Sequence, residues 1–192
     1  MICSDEYQFI FYAVPKTGSR SMQNFLQRYG RRSVTGWSPN HNNYEEVKSD
    51  VGIEKSNKYF KFAFFRNPWA MLVSMYFYNM HIWGLNAKKD SVVNWLNTYK
   101  GGDPYIPYIF DNEGNAILDF MGKLENSRED LKTVCKMLKI PISGELSHIG
   151  KQHVKGRLDY RAYYESPVLV EKIRKIFSKS LSVLNYDFNE GV

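Results

Sequence analysis

The chain has 192 residues, enough for one domain and short for two. Its 14 tyrosines, 12 phenylalanines and 4 tryptophans supply a sizeable core or an aromatic-lined cleft, which excludes a disordered or fibrous chain. A formal charge of +6 favours anionic partners, whether a nucleotide, an acidic polymer or a membrane surface. Two cysteines, Cys3 and Cys135, give neither a disulfide framework nor a metal cluster, so a reducing, cytoplasmic setting is the default. The opening Met1–Glu6 is short and acidic, unlike a signal peptide. No apolar run approaches the ~18 residues of a membrane span.

Tyr7–Val14 predicts a strand ended by Pro15, and a helix follows from Ser19 to about Gly30, with Met22, Phe25, Leu26 and Tyr29 on its inner face. Gly30–Asn43 is polar and turn-rich, a loop over the ligand end of the sheet, and Tyr44–Ser49 suggests a short helix. Tyr59–Phe65 is nearly continuous in apolar character, as in a strand covered on both faces. Asn67 and Pro68 then supply an N-cap and first helical residue, for a helix that ends before Gly84. Ser91–Tyr99 reads as a helix, Gly101–Asn115 as a variable surface region, and Ile117–Met121 as a strand ending at Gly122. Helices are expected over Ser127–Lys139 and around Leu169–Phe177. Repeated strand-to-helix alternation predicts an α/β fold spanning residues 1–192 as a single domain, a central mostly parallel sheet flanked by helices.

The most informative stretch is Phe9–Ser21, F-I-F-Y-A-V-P-K-T-G-S-R-S, an apolar strand that runs into a tight turn and then a helix. Such a turn aims backbone N–H groups and a positive helix end at one point, a site for phosphate or sulfate. Lys16 adds charge, Gly18 lets the backbone approach, Ser19 and Ser21 add hydroxyls, and Arg20 either adds a second charge or faces solvent. An ordinary surface turn is the bland alternative. The sequence is not G-x-x-x-x-G-K-[ST], which counts against a magnesium-dependent NTPase. At the second strand end, F-F-R-N-P-W, the planar fork of Arg66 suits two phosphate oxygens, and Ser74 lies two turns into the following helix. A structural ion pair for Arg66 and close packing for Ser74 remain alternatives.

V-P-K-T-G-S-R-S at Val14–Ser21 together with R-N-P-W-x-x-x-x-S at Arg66–Ser74 resembles the sulfotransferases that use 3′-phosphoadenosine 5′-phosphosulfate (PAPS). The likeness is nearest the carbohydrate and heparan sulfate 2-O-sulfotransferase branch and its bacterial relatives. F-M-G-K-L-E-N at Phe120–Asn126 is similar to the family's third segment, and L-N-Y-D-F at Leu184–Phe188 to its closing strand or turn. The resemblance implies a P-loop-like sulfotransferase fold, PAPS as donor, PAP as product, and no metal. It assigns the 5′-phosphosulfate to Lys16, Thr17, Gly18, Ser19, Arg20 and Ser21, and the 3′-phosphate to Arg66 and Ser74. Arg20 departs from the threonine or serine usual there. A late basic segment, Gly150–Arg161, is the counterpart of the nucleotide cover, with Lys155, Gly156 and Arg157 favoured and Tyr160, Tyr163 and Tyr164 either lining the site or packing beneath.

The general base must lie on the acceptor side. His41 follows the loop that crosses the site, titrates near neutral pH, and matches the histidine base implied by the resemblance. Glu45 or Glu46 is the alternative; His81 reads as a core or cleft histidine, and His148 and His153 as part of the late loop. The acceptor is expected to be a glycan or small alcohol, with Trp83, Trp95, Tyr105, Tyr108 and Phe110 as pocket walls or core. No nucleic acid is expected. Competing readings are a nucleotide kinase-like phosphotransferase and a non-catalytic binder of acidic polymers.

Overall fold

The structure, a computed structural model, describes residues 1–32, 41–85, 88–142 and 159–190. In chain order it contains β1 (Ile2–Ser4), β2 (Phe9–Tyr12), α1 (Ser19–Leu26), β3 (Arg31–Arg32), α2 (Tyr44–Val51), α3 (Ile53–Lys58), β4 (Phe60–Phe65) and α4 (Pro68–Ile82). There follow α5 (Lys89–Thr98), α6 (Ile106–Ile109), β5 (Phe120–Lys123), α7 (Ser127–Met137), α8 (Pro167–Ile176) and α9 (Ser178–Leu184). The chain divides into two units, Met1–Phe65 with Tyr105–Lys151, and Arg66–Pro104 with Gln152–Val192.

The first unit holds the sheet, ordered β3-β1-β2-β4-β5. β2, β4 and β5 run parallel, whereas β1 is antiparallel to both β2 and β3. The sheet is therefore mixed, not mostly parallel. The reason is local: only Asp5–Gln8 joins β1 to β2, too short for a crossover, so the two must pair as a hairpin. Ser4 Oγ accepts from the Tyr7 N–H at 3.2 Å to hold that turn, and Gln8 takes a left-handed φ of 51°.

Side chains alternate across β2 and β4, and both faces are apolar. Phe9, Phe11, Phe62 and Phe64 form one buried face with Met22, Phe25 and Leu26 of α1 and Leu131, Val134 and Cys135 of α7. Ring centroids of Phe11 and Phe62 lie 5.3 Å apart. Each such side chain contributes about 1.5–3 kcal/mol by leaving water. On the other face Ile10, Tyr12, Ala63 and Phe65 are fully buried, and Tyr105 packs edge-on against Phe65 at 5.1 Å.

Two expectations change here. Gly101–Asn115 is not merely surface: Tyr105, Tyr108, Ile109 and Phe110 are buried around α6, so these aromatics are core. The third parallel strand begins at Phe120, not Ile117, where Asp119 Oδ2 accepts from Lys61 N at 2.7 Å and Asp119 N donates to Lys61 O at 2.8 Å. Gly122 lies inside that strand, where a Cβ would come within 2.6 Å of the Phe64 ring.

In the second unit, α4 begins where Asn67 and Pro68 predicted. Asn67 Oδ1 accepts from Trp69 N (3.1 Å) and Ala70 N (3.4 Å), while its Nδ2 donates to the carbonyls of Asp187 (2.8 Å) and Glu190 (2.9 Å). One buried amide thus starts the helix and fastens the C-terminal segment. Leu184–Phe188 is a helix end and turn, with Asn185 left-handed at φ 50°. Trp69 Nε1 donates to Val170 O at 3.1 Å, and Tyr164 Oη donates to Trp69 O at 3.0 Å. Tyr163 packs on Phe77 and Trp95 on Tyr76, so Tyr163, Tyr164 and Trp95 belong to aromatic packing. Tyr160 Oη donates to Phe188 O. Asn67→Ala removes the cap and two carbonyl partners together, with an expected loss of about 2–4 kcal/mol by urea unfolding. Asn67→Asp keeps the cap acceptor but turns a buried carboxylate oxygen toward the Asp187 and Glu190 carbonyls, so it should recover little of that loss. Among the described residues no helix is long and apolar enough to cross a membrane.

Candidate active site

The turn after β2 is built by its backbone. Lys16 and Gly18 both take left-handed φ, 65° and 73°. For a lysine that costs about 1–2 kcal/mol, a strain that collects at functional turns. Thr17, almost fully buried, donates its hydroxyl to Val14 O at 2.9 Å. The Thr17 side chain therefore staples the turn.

Gly18 is the N-cap of α1 and brings no capping side chain. The first bonds within the helix are Ser21 N to Gly18 O (3.0 Å) and Met22 N to Gly18 O (3.4 Å). The earlier amides, of Ser19 and Arg20, sit at the positive end of the helix with no acidic residue in the first turn. α4 is the opposite case, since Asn67 occupies its leading N–H groups. The two helix starts thus differ: that of α4 is capped by a side chain, and that of α1 is not.

The F-M-G-K-L-E-N segment reaches this turn through Leu124. A Cβ at Gly18 would lie 2.7 Å from Leu124 Cδ1. Gly18→Ala should cost about 1–3 kcal/mol in urea unfolding, from the left-handed backbone and the clash together. Leu124→Ala in the same chain should relieve only the second part.

His41 is half-buried, and its Nδ1 lies 2.7 Å from Ala13 O, at the exit of β2. A carbonyl only accepts, so Nδ1 carries the hydrogen and the lone pair of the neutral ring sits on Nε2. Burial lowers the pKa of the imidazole from 6.5; the bond to Ala13 opposes this, and the positive charges of Met1, Lys16 and Arg20 add to the lowering. His41, Lys16 and Arg20 are thus brought into one electrostatic neighbourhood. The rival carboxylates have other partners: Glu46 closes a capping box with Asn43, and exposed Glu45 accepts from Asn112 at 3.1 Å. His81 is exposed on the last turn of α4, not a core residue.

Arg66, half-buried, immediately precedes the Asn67 cap, and Ser74 is buried two turns into α4. Lys155, Gly156 and Arg157 lie outside the described residues, as do His148 and His153. Among the described residues no three His, Cys, Asp or Glu side chains gather into a metal-binding group. Cys3 and Cys135 are buried with raised thiol pKa, Cys135 to about 11, both chiefly by burial, so both are poor nucleophiles.

The sequence model of the Sulfotransferase family matches residues 1–94, which include the Lys16 turn, His41, Arg66 and Ser74. The chain belongs to the sulfotransferase family. An uncharacterized protein of Archaeoglobus fulgidus is similar, 32% identical over 102 residues that cover 50% of this chain and 80% of its own length. No solved structure matches. In this sulfotransferase three contributors escaped the sequence: the Ala13 carbonyl, the Leu124 side chain beside Gly18, and the double role of Asn67. Only Asn67, ahead of Pro68, carried a readable signal.

Proposed function

We propose that the protein transfers the sulfuryl group of PAPS to a carbohydrate hydroxyl, with His41 as general base. The observation that carries this is His41, fixed by Ala13 O with Nε2 as its basic atom, beside a turn whose helix end has no side-chain cap. The donor's 5′-phosphosulfate would take the amides of the Lys16 turn, and its 3′-phosphate the side chains of Arg66 and Ser74.

His41 Nε2 removes the proton of the acceptor hydroxyl as its oxygen attacks sulfur in line. The bond from sulfur to the bridging phosphate oxygen breaks, and that oxygen leaves with its electron pair on PAP. Lys16 and the amides ahead of Ser21 stabilise the charge that grows there. A proton balance results: one leaves the acceptor and one arrives on His41.

The test compares PAP, ADP and ATP binding without metal, followed by labelled-sulfate transfer from PAPS to oligosaccharides and simple alcohols. PAP should bind at least about tenfold more tightly than ADP, since ADP lacks the 3′-phosphate that a charged hydrogen bond would hold. ATP binding that requires magnesium, with no preference for PAP, would point instead to a phosphotransferase. Salt-sensitive polymer binding without PAP binding would point to a non-catalytic role.

A further inference from the structure

We infer that Asp130 is a positioning residue for the Lys16 turn, acting through Leu124 on Gly18. The turn and the connection from β5 to α7 leave the sheet on one edge, because β2 and β5 both run parallel to β4. Lys123, the last residue of β5, leads into a single 3₁₀ turn, Leu124–Asn126, and α7 follows at once. Asp130, in the first turn of α7, grips both ends of that connection. Its Oδ2 accepts from Lys123 N at 2.7 Å, and its Oδ1 accepts from Asn126 Nδ2 at 2.8 Å. A carboxylate suits this place, since it accepts main-chain N–H bonds strongly and faces the positive end of a helix.

Leu124 stands between the two gripped residues. It is buried, and its Cδ1 lies 2.7 Å from the point that a Gly18 Cβ would occupy. The leucine therefore packs on the bare Gly18 backbone, in the space a side chain there would take. α7 is itself fastened to α1, because Leu131, Val134 and Cys135 share a buried cluster with Met22, Phe25 and Leu26. A closed ring of contacts results, from the start of α1 through Leu124 and Asp130 to α7 and back to the body of α1. The ring holds Gly18 at its left-handed φ of 73° and so fixes where the uncapped Ser19 and Arg20 amides point. Asp130 then tunes donor binding without touching the donor, which rests on the 5′-phosphosulfate lying on those amides.

The experiment measures equilibrium binding of PAP and of adenosine 3′-phosphate, which lacks the 5′ group, to the full chain. The variants are Asp130→Ala, Asp130→Asn, Leu124→Ala and the Asp130→Ala, Leu124→Ala pair, each checked for folding by urea unfolding. Asp130→Ala should weaken PAP about fivefold, the size of coupling between residues in contact, and change adenosine 3′-phosphate by less than about twofold. A general loss of folded protein would instead weaken both nucleotides alike. Asp130→Asn keeps an oxygen for Lys123 N and, with the Asn126 amide turned over, a bond to that side chain, so it should restore PAP binding. The double variant should lose no more than Leu124→Ala alone. Without ligand, the amide ¹⁵N resonances of Ser19 and Arg20 should move in Asp130→Ala and return in Asp130→Asn. Unmoved resonances, an unchanged PAP affinity, equal loss of both nucleotides, or losses that add in the double variant would each overturn the inference and leave the donor reading standing. Failure of the wild type to bind PAP would overturn both.

Discussion

Lys16→Ala is expected to slow sulfuryl transfer by about 10²–10³-fold, the usual effect of removing one preorganised donor from a developing oxyanion. PAP affinity should fall less, by about tenfold, because the amides ahead of Ser21 and the 3′-phosphate contacts remain. The difference arises because the lysine charge meets more negative charge on the leaving oxygen than in the ground state. Alanine at a left-handed φ of 65° keeps the strain that lysine already bears, so folding should be little changed. Lys16→Gln, with similar length and no charge, should behave like alanine in rate. Single-turnover rates with equilibrium PAP binding separate the two effects. Equal losses in both would reduce Lys16 to a binding residue.

His41 should matter as much by a different route. His41→Asn keeps an N–H for the Ala13 carbonyl and removes the basic Nε2, so transfer should fall about 10²–10⁴-fold with the fold intact. His41→Ala should lose the same rate and in addition about 1 kcal/mol, as the carbonyl loses its partner. The pH dependence follows from the lowered pKa. His41 is neutral and competent above its folded pKa, so the acid limb of kcat/KM for the donor should lie below pH 6.5. In the asparagine variant that limb should be absent. The same group makes stability fall as pH drops through this window, since the unfolded chain binds the proton more readily. A wild-type acid limb retained in His41→Asn would move the base elsewhere.

Local signals carried much of the fold and the candidate site. Pro15, Gly18 and the hydroxyls around them announced a turn, and Asn67–Pro68 marked a helix start at the correct residue, because caps and turns are decided by neighbours in sequence. Pairing partners were harder. Ile2–Ser4 is three residues long and becomes a strand only through its hydrogen bonds to β2 and β3, so the antiparallel edge of the sheet was not legible. Gly101–Asn115 looked like surface because glycine, proline and asparagine outweigh its aromatics, yet Tyr105 is anchored by the Phe65 ring. α3 and α9 are short helices that turn on tertiary context more than on periodicity. The group that fixes the tautomer of His41 is a main-chain carbonyl, which no choice of residue type reveals.

A crystal structure of the protein with PAP tests the central claim most directly. The 5′-phosphate should rest on the Lys16 turn within hydrogen-bonding reach of the Ser19 and Arg20 amides, and the 3′-phosphate on Arg66 and Ser74. A nucleotide bound away from the turn, or one whose 3′-phosphate touches neither Arg66 nor Ser74, would contradict it.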